Sequence, residues 1–568
     1  MENKWVEYVP ESHAKVDALH QLLKIDPILC SLLLQRKVNT FEQARVFFRP
    51  DLAQLHDPFK MQDMQAAVER IQTAIERGEK ILIYGDYDVD GTTAVALVYS
   101  YFKHFHASMG YYVPDREKEG YGISKIGIDW AHSQGYTLII ALDCGIKSVE
   151  EVQYAQNKNI DFIIGDHHTP DAVLPDAVAV LDPKRADCNY PFKELSGCGI
   201  GFKLIQADAL VRGLSMTRIV PYLDLVAVSI ASDIVPIVGE NRVLAHFGLA
   251  KLNQDPCPGL SALKDMATRV VEFSIEDVIF QIGPRINAAG RIRHASDAVK
   301  LLIATSAEEA KEGCALIEQY NLKRKEVDGE ITREAIQLIE ADPALKARQS
   351  TVLYNKDWHK GVIGIVASRL IEAYYRPTVI LTSSNGHVTG SARSVKGFDL
   401  YEALSECSDL LIQYGGHKYA AGLTMQEQHV PAFQEMFETV VARRIEPELL
   451  QRVIYIDYRI TLEMLTPKFL RVLKQFAPFG PQNPAPVFHS TVLRHSASVS
   501  IVGKDHLRMQ VKLSNGGTFN GIGFGLGKFY QMINDGAAFD MCYQLCERIW
   551  REERYWQLNI KDIKILAH

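Results

Sequence analysis

Four clusters of acidic and histidine residues along this 568-residue chain could together hold divalent metal ions. The first cluster places Asp86, Asp88 and Asp90 within one short segment that begins and ends with glycine. Three carboxylates so close together repel one another unless a cation binds them. The later clusters add further carboxylates and a histidine pair, and they are Asp143, Asp166-His167-His168 and Asp233.

Ligand sets made mainly of oxygen atoms with one imidazole suit Mn²⁺ or Mg²⁺ better than zinc. Several carboxylates can bridge two such ions, about 3.5–4 Å apart, for in-line displacement at phosphorus. The nine cysteines are scattered without a CxxC pair, so no thiolate set competes for the metal. We therefore predict a two-ion centre that acts on a phosphate ester, in a protein whose thiols stay free in a reducing cytoplasm.

Short apolar runs precede the first three clusters, as is typical of buried parallel strands covered by helices on both faces. The runs lie at 81–84, 138–142 and 162–164, and a helix is predicted at 92–105. This alternation predicts a doubly wound α/β domain. Ligands bind outside the carboxyl ends of the strands in such sheets. The first three clusters should therefore meet at one edge of one sheet.

The rest of the chain changes pattern twice. A long charged helix is predicted at 306–340, and a second, smaller α/β pattern starts near Thr351. Alternating strands after about residue 450 suggest a small β-barrel. The predicted domains are a helical N-terminal segment (1–60), a catalytic α/β domain (61–300), a connector helix (301–345), a substrate-binding α/β domain (346–448) and a nucleic-acid-binding β domain (449–568).

Basic residues near the end of the first α/β domain are suited to the phosphates of a nucleic acid. Since the net charge is −7, such a site must be a local basic groove. The segment 283–293 supplies Arg285, Arg291 and Arg293 without an acid among them, and Asn287 adds an amide. Arginine favours bidentate contact with phosphate, so this segment is a candidate binding surface.

The motifs resemble those of the DHH phosphoesterase superfamily. Asp166-His167-His168 is the signature that gives the superfamily its name, and the segment 85–91 looks like its first motif. Within it, the chain resembles the bacterial single-strand-specific exonucleases over nearly its whole length. The matching segments are 283–291, 357–364, 390–394 and 415–417. The implied fold is α/β: a DHH and a DHH-associated domain joined by a long helix, with a C-terminal OB-type β-barrel.

The resemblance also implies roles for individual residues. Asp143 would bridge two Mn²⁺ or Mg²⁺ ions, Asp86 would support the catalytic site, and His168 would face the scissile phosphate. The implied metal ligands are Asp88, Asp90, Asp143, His167 and Asp233.

A separate pocket would recognise the 5′-terminal phosphate of the strand. Ser391 and Arg393 are two residues apart, so both lie on one side of a predicted strand and could share a phosphate. The resemblance adds Arg116 and Arg285 to this pocket. It also implies that His417, on a glycine-rich loop, touches the phosphate near the metals.

The implied activity is 5′→3′ exonuclease digestion of single-stranded DNA to 5′-mononucleotides, by two-metal hydrolysis in recombination and repair. By the same resemblance, a single-strand-binding protein and a helicase would cooperate with a monomeric, cytoplasmic enzyme. The chain shows no apolar signal core at its start. It also has no apolar run of about 18 residues, so no membrane association is expected.

Two other functions remain open on the sequence alone. A related phosphodiesterase could act on cyclic dinucleotides, very short oligonucleotides or pyrophosphate, but such members resemble only the two α/β domains. A non-catalytic scaffold could bind single strands with the same fold. The full acid set argues against it, because a pure binder gains nothing from buried negative charge beside a phosphate.

Overall fold

The computed structural model describes residues 3–9, 12–267, 272–550 and 553–566. It divides into two compact units. The larger unit comprises Val6–Asn287, His294–Leu316 and Tyr455–His568, and the smaller unit comprises Met1–Trp5, Ala288–Arg293 and Ile317–Ile454. Among the described residues, none of the helices combines the length and the apolar character that crossing a membrane requires.

A parallel five-stranded sheet forms the centre of the first α/β region, in the larger unit. In sheet order its strands are Met109–Tyr112, Ile81–Gly85, Leu138–Leu142, Asp161–Gly165 and Ala179–Leu181. The first strand along the chain lies second in the sheet, which is the 2-1-3-4-5 order of doubly wound folds. The predicted doubly wound fold is confirmed, and its switch point lies between the strands that end at Gly85 and Leu142.

Helices cover this sheet and continue beyond it along the chain. They span Met64–Glu76, Val89–Lys103, Lys125–Ser133, Val149–Gln156, Gly197–Val211, Leu223–Ser232, Gly239–Gln254, Pro258–Asp265, Ile275–Asp277, Gly283–Ile292 and Ser296–Leu302. The second of these was predicted to start at Thr92. It starts at Val89 because the carboxylate of Asp88 accepts a hydrogen bond from the Gly91 amide (3.0 Å) and caps the helix.

The C-terminal β region of the larger unit forms one seven-stranded mixed sheet. In sheet order the strands are Tyr458–Arg459, Val487–Val492, Phe539–Trp550, Glu553–Ile565, Thr518–Gly523, His506–Lys512 and Ala497–Val502. Helices Pro467–Lys474 and Tyr530–Asn534 accompany it. Strand His506–Lys512 alternates buried and exposed positions, so one of its faces packs on a core and the other meets solvent.

The N-terminal helices share their hydrophobic core with this β region. They span His13–Leu23, Pro27–Gln35 and Phe41–Phe48. Leu29 and Leu33 are buried in the same cluster as Phe488 and Leu507. The first and last parts of the chain in this unit therefore stabilise one another by burying apolar surface.

Arg242 ties this core to the first α/β region. Its buried guanidinium donates hydrogen bonds to the carbonyls of Phe47, Gln475, Phe476 and Ala477, at 3.0–3.2 Å. It also lies over the ring of Phe47, 3.9 Å from the ring centre. A buried cation is costly unless its donors are satisfied, so these carbonyls make the contact specific.

The smaller unit contains a five-stranded sheet. In sheet order its strands are Gln413–His417, Ala420–Met425, His387–Arg393, Thr378–Ser384 and Thr351–Tyr354. Its further helices are Pro343–Ala347, Ile363–Tyr374, Leu400–Ser405 and Val430–Arg444. The long helix Ala307–Ala341 enters this unit and agrees with the predicted connector. Strands Lys4–Glu7 and Val453–Ile456 form a two-stranded sheet.

Candidate metal centre

His167 lies at the centre of a buried acidic cluster at the carboxyl edge of the parallel sheet. It follows the strand that ends at Gly165, and Asp143 follows the neighbouring strand. Its Nε2 is 3.1 Å from an oxygen of Asp143, 3.6 Å from Asp233 and 3.7 Å from Asp90. These carboxylates come from distant parts of the chain, and the fold brings them within reach of one cation.

An unusual backbone conformation positions Asp143. Its φ of 58° lies in the left-handed region, which costs energy for a residue other than glycine. Gly197 allows the carboxylate of Asp143 to pack closely against the first turn of helix Gly197–Val211. A Cβ added to Gly197 would lie 2.6 Å from Cβ and 2.8 Å from Oδ1 of Asp143. The position of this carboxylate therefore depends on a glycine at residue 197.

Three hydrogen bonds hold the carboxylate of Asp90. The amides of Gly197 and Cys198 donate to it at 2.7 Å and 2.8 Å, and the hydroxyl of Ser229 donates at 2.6 Å. Both amides belong to the first turn of helix Gly197–Val211, whose dipole favours an anion there. The orientation of Asp90 is thus fixed by backbone and side-chain donors.

Asp86 is buried more deeply than a turn residue usually is. Its side chain is 1% exposed, and Oδ1 makes no hydrogen bond with the described residues. Burial and the neighbouring Asp88 raise its pKa well above the ordinary value. Gly91 lets the backbone close over it, since a Cβ there would lie 2.4 Å from the Asp86 carbonyl oxygen.

The cluster favours neutral carboxyl groups in the absence of a cation. Burial, followed by repulsion from Asp90, raises the pKa of Asp143 well above its ordinary value and raises that of Asp233 to about 8. The same two causes raise the pKa of Asp88. Burial lowers the pKa of His167, which keeps its imidazole neutral and able to bind a metal.

Asp166 orients both histidines of the signature. Its carboxylate accepts hydrogen bonds from the amides of Ile146 and His167, at 2.9 Å and 2.7 Å, and from Nδ1 of His168 at 2.7 Å. Burial opposes its ionisation, but these bonds outweigh burial and lower its pKa to about 2. Burial likewise opposes protonation of His168, yet the bond to Asp166 raises the pKa of that imidazole to about 9.

The residues of the cluster fit one or more divalent cations. Oδ1 of Asp143 and Nε2 of His167 are buried and make no hydrogen bond with the described residues. Two sets of donor atoms lie within 4.8 Å of one another, namely Asp143 with His167 and His168, and Asp90 with His167 and Asp233. Carboxylate oxygens with imidazole nitrogens are the donors that suit Mn²⁺ and Mg²⁺.

Ser391 and Arg393 lie together in the smaller unit. Nη1 of Arg393 donates to the hydroxyl of Ser391 at 3.0 Å. Gly364, at the start of helix Ile363–Tyr374, packs against both, since a Cβ there would lie 2.9 Å from Oγ of Ser391. The first turn of a helix, a hydroxyl and a guanidinium are the groups that bind a phosphate. His417 ends the exposed edge strand Gln413–His417 of the same sheet.

The other predicted phosphate ligands have varied surroundings. Arg116 lies over the ring of Tyr87, 5.0 Å from its centre. Arg285 is mostly buried and donates to the carbonyl of Gln281, and Arg291 donates to that of Gly361 at 2.9 Å.

Asn287 lies on helix Gly283–Ile292, in the larger unit together with Arg116 and Arg285. Arg291 belongs to the smaller unit with Ser391 and Arg393. The phosphate pocket stays a prediction.

Sequence reasoning assigned no role to three residues that shape the site: Asp166, Gly197 and Ser229. The signal for Asp166 lay within the signature, where an acid precedes two histidines. Gly197 and Ser229 lie 107 and 139 residues beyond Asp90 in the chain. No local pattern in the sequence indicated that helix Gly197–Val211 would bind the carboxylate of Asp90.

Three family models match successive parts of the chain. They describe the DHH family N-terminal domain (residues 80–230), the DHHA1 domain (348–443) and the RecJ OB domain (456–562).

Relatives of known activity match most of the chain. The single-stranded-DNA-specific exonuclease RecJ of Bacillus subtilis (strain 168) is 36% identical over 97% of this chain and 70% of its own length. The protein of the same name from Escherichia coli (strain K12) is 32% identical over 89% of this chain and 90% of its own. The crystal structure of RecJ in complex with Mn²⁺ from Thermus thermophilus covers all of this chain and 80% of its own, with a TM-score of 0.83 and 26% identity.

Proposed function

Because the chain belongs to the RecJ family of single-stranded-DNA-specific exonucleases, we propose that the acidic cluster around His167 holds the divalent ions of that reaction. The protein is a metal-dependent exonuclease that acts on single-stranded DNA, and its cofactor is a divalent ion, Mn²⁺ or Mg²⁺. One observation supports the location of the site above the others: the buried carboxylates of Asp90 and Asp143 and the partly buried one of Asp233 lie 3.1–3.7 Å from Nε2 of His167.

Asp143 is the proposed bridge between the two ions. Its carboxylate belongs to the group of donors that includes both histidines, and repulsion from Asp90, Asp88 and Asp233 adds to burial in raising its pKa. Only a carboxylate close to all the others has this environment. The remaining proposed ligands are Asp88, Asp90, His167 and Asp233.

Divalent ions bound there would supply Lewis acidity and activate water for attack at phosphorus. The residues of the chain orient the reacting groups. Helix Gly197–Val211 and Ser229 hold Asp90 in place. Asp166 holds Nδ1 of His168 and favours the protonated ring, which leaves Nε2–H to donate to an oxygen of the scissile phosphate. Asp86 supports the loop without contacting the substrate.

The 5′→3′ direction and the release of 5′-mononucleotides are the finer part of the proposal. A pocket for a terminal phosphate would fix the end of the strand at a set distance from the metals, so each cut would remove one nucleotide. The contact between Ser391 and Arg393 at the start of a helix supports such a pocket. Arg116 and Arg285 are its other proposed members. Asn287 and Arg291 are proposed to contact the strand itself, and His417 is proposed to touch the phosphate near the metals.

The expected partners of the protein follow from its family resemblance, and its expected cellular compartment follows from its cysteines. We expect a monomer that works with a single-strand-binding protein and a helicase in recombination and repair, as the family resemblance implies. None of the nine cysteines, all within the described residues, forms a disulfide, and seven of them are buried, which favours a reducing cytoplasm. Co-purification with a single-strand-binding protein and mass measurement in solution would test the first two expectations.

A substrate panel tests the function directly. The protein with Mn²⁺ is incubated with 5′-labelled single-stranded DNA, the corresponding duplex, a cyclic dinucleotide and pyrophosphate. The proposal predicts mononucleotides from the single strand and little turnover of the other three. Preferred turnover of the cyclic dinucleotide or of pyrophosphate would favour a phosphodiesterase of the first alternative kind. Binding of the single strand without cleavage would favour a scaffold.

A further inference from the structure

Phe280 is an apolar side chain that the catalytic machinery described above does not use. It is 68% exposed, more than any other phenylalanine in the described residues. Its neighbours Val278 and Ile282 are fully buried. The turn is therefore anchored in the core on one side and presents an aromatic ring to solvent on the other.

The backbone around Phe280 is a π-helical turn, Val278–Ile282, inserted between two α-helical segments. The amide of Gly283 bonds the Val278 carbonyl, five residues back, in place of the usual four. Such turns are rare and occur often at functional sites, because they change the direction in which side chains point. The guanidinium of Arg285 donates to the Gln281 carbonyl and stabilises the widened turn.

The residue that follows this turn, Gly283, packs against the helix that ends just before Asp233. A Cβ on Gly283 would lie 2.9 Å from Oγ of Ser232, the last residue of helix Leu223–Ser232. The next residue is Asp233, a proposed metal ligand. Ile234 follows, 60% exposed and with a φ of 59°, a conformation that strains a β-branched residue. A second exposed apolar side chain, Ile234, thus directly follows Asp233.

The same segment also contacts the C-terminal β region. Nη1 of Arg554, on strand Glu553–Ile565, donates to Glu272 at 2.9 Å, eight residues before Phe280. Residues 272–283 therefore contact both the β region and the helix that ends just before Asp233, all within the larger unit. A strand that contacts both regions would pass over this segment.

We infer that Phe280 is a stacking surface for one base of the single strand next to the cleaved nucleotide. The inference rests on the proposed function. A base is a better occupant than a phosphate, because Glu276 and Asp277 directly precede the turn and would repel an anion. An aromatic face binds any base without hydrogen bonds, which suits an enzyme that must accept every sequence.

The test replaces Phe280 by Leu, which keeps an apolar side chain but removes the aromatic face. Phe280→Tyr retains the stack, and Phe41→Leu is the matched control, an exposed phenylalanine on an N-terminal helix. Cleavage kinetics are measured on 5′-phosphorylated strands of 2 to 12 nucleotides. We expect Phe280→Leu to raise KM on the longer strands about 5- to 150-fold, the effect of losing one base stack, with kcat nearly unchanged. Both other variants should match the wild type.

A second measurement locates the stacked base. A phosphorothioate strand that resists cleavage carries 2-aminopurine at successive positions, and its fluorescence is recorded with each variant. Wild type and Phe280→Tyr should quench the probe at one position near the 5′ end, and Phe280→Leu should not. If Phe280→Leu cleaves and quenches like the wild type, the stacking inference is wrong while the exonuclease assignment stands. If the wild type cleaves no single strand, both are wrong.

Discussion

Buried carboxylates near the edge of the catalytic sheet differ in how completely their oxygens are hydrogen-bonded. Asp166 has bonds to both oxygens and ionises readily. Asp182, which follows the edge strand Ala179–Leu181, accepts one bond from the Lys184 amide at 2.7 Å. Its Oδ2 is buried and makes no hydrogen bond with the described residues. Burial, with a smaller effect of Asp166, raises its pKa to about 7.

Replacing Asp182 by Asn should stabilise the protein at neutral and higher pH. The folded-state pKa lies above the unfolded value of about 3.9, so the folded state holds a proton that the unfolded state loses. For the wild type, this group therefore lowers the free energy of unfolding as the pH rises from about 4 to about 7. The Asn side chain does not ionise, so the variant avoids this loss. Its free energy of unfolding should exceed that of the wild type by about 1–4 kcal/mol at pH 8 and should equal it at pH 4.

Urea unfolding of both proteins across this pH range measures the difference. Asp171→Asn, an exposed acid in the same region, is the control and should leave the pH profile unchanged. A loss of stability in Asp182→Asn at pH 8 would mean that the charged carboxylate has a partner, and the account of its burial would be wrong.

Arg393 should determine the preference for a phosphorylated 5′ end. Replacing it by Ala removes the guanidinium beside Ser391, so the ratio of kcat/KM for 5′-phosphate over 5′-hydroxyl strands should fall about tenfold or more. Arg393→Lys keeps the charge but loses the planar fork, so it should retain part of the preference. Mn²⁺ affinity serves as the control and should not change. A variant with the full preference would place the pocket elsewhere.

At the scale of elements, local sequence patterns were enough to predict the central strands and the acidic clusters that follow them. Apolar runs predicted the strands Ile81–Gly85, Leu138–Leu142 and Asp161–Gly165 to within one or two residues. The carboxyl-end rule then placed the acidic clusters at one edge. The surroundings of Asp90 were not predictable, because its hydrogen-bond donors lie on helix Gly197–Val211 and on Ser229, more than a hundred residues away.

Gly197→Ala tests how closely helix Gly197–Val211 packs against Asp143. The added methyl group would lie 2.6 Å from Cβ of Asp143, so the carboxylate or the helix must move. We expect Mn²⁺ affinity to fall by about tenfold or more, which corresponds to about 1.4 kcal/mol. Gly329→Ala, in the long helix, meets no atom within 4 Å and is the matched control. Unchanged Mn²⁺ binding in Gly197→Ala would show that the site tolerates this shift.

At the scale of the molecule, the two ends of the chain form one core. Leu29 and Leu33 of the N-terminal helices pack in a cluster with Phe488 and Leu507. Such contacts join residues more than 400 positions apart, and no local pattern in the sequence predicts them. The β region predicted to bind nucleic acid is therefore also part of the core of the larger unit.

Truncation after Glu448 should therefore destabilise what remains. It removes one side of the shared core and the carbonyls of Gln475, Phe476 and Ala477 that satisfy Arg242. The loss should exceed about 5 kcal/mol, the lower limit for a whole domain. Thermal unfolding by circular dichroism should show a broad or missing transition.

Lys512→Gln, an exposed substitution in the β region, is the control for that region and should unfold as the wild type does. A truncated protein that unfolds cooperatively at the wild-type temperature would contradict the shared core.

The most direct test of the metal centre is the single-turnover rate of Asp143→Asn on 5′-phosphorylated single-stranded DNA with saturating Mn²⁺. One carboxylate is proposed to serve both ions, so the rate should fall by about a hundredfold or more. Thermal stability should stay at or above that of the wild type, because burial already disfavours the charged form of Asp143. Asp90→Asn and His167→Gln should behave alike, and Asp171→Asn should cleave normally. A rate for Asp143→Asn of about a tenth of the wild-type value or more would contradict the bridging role and the proposed centre.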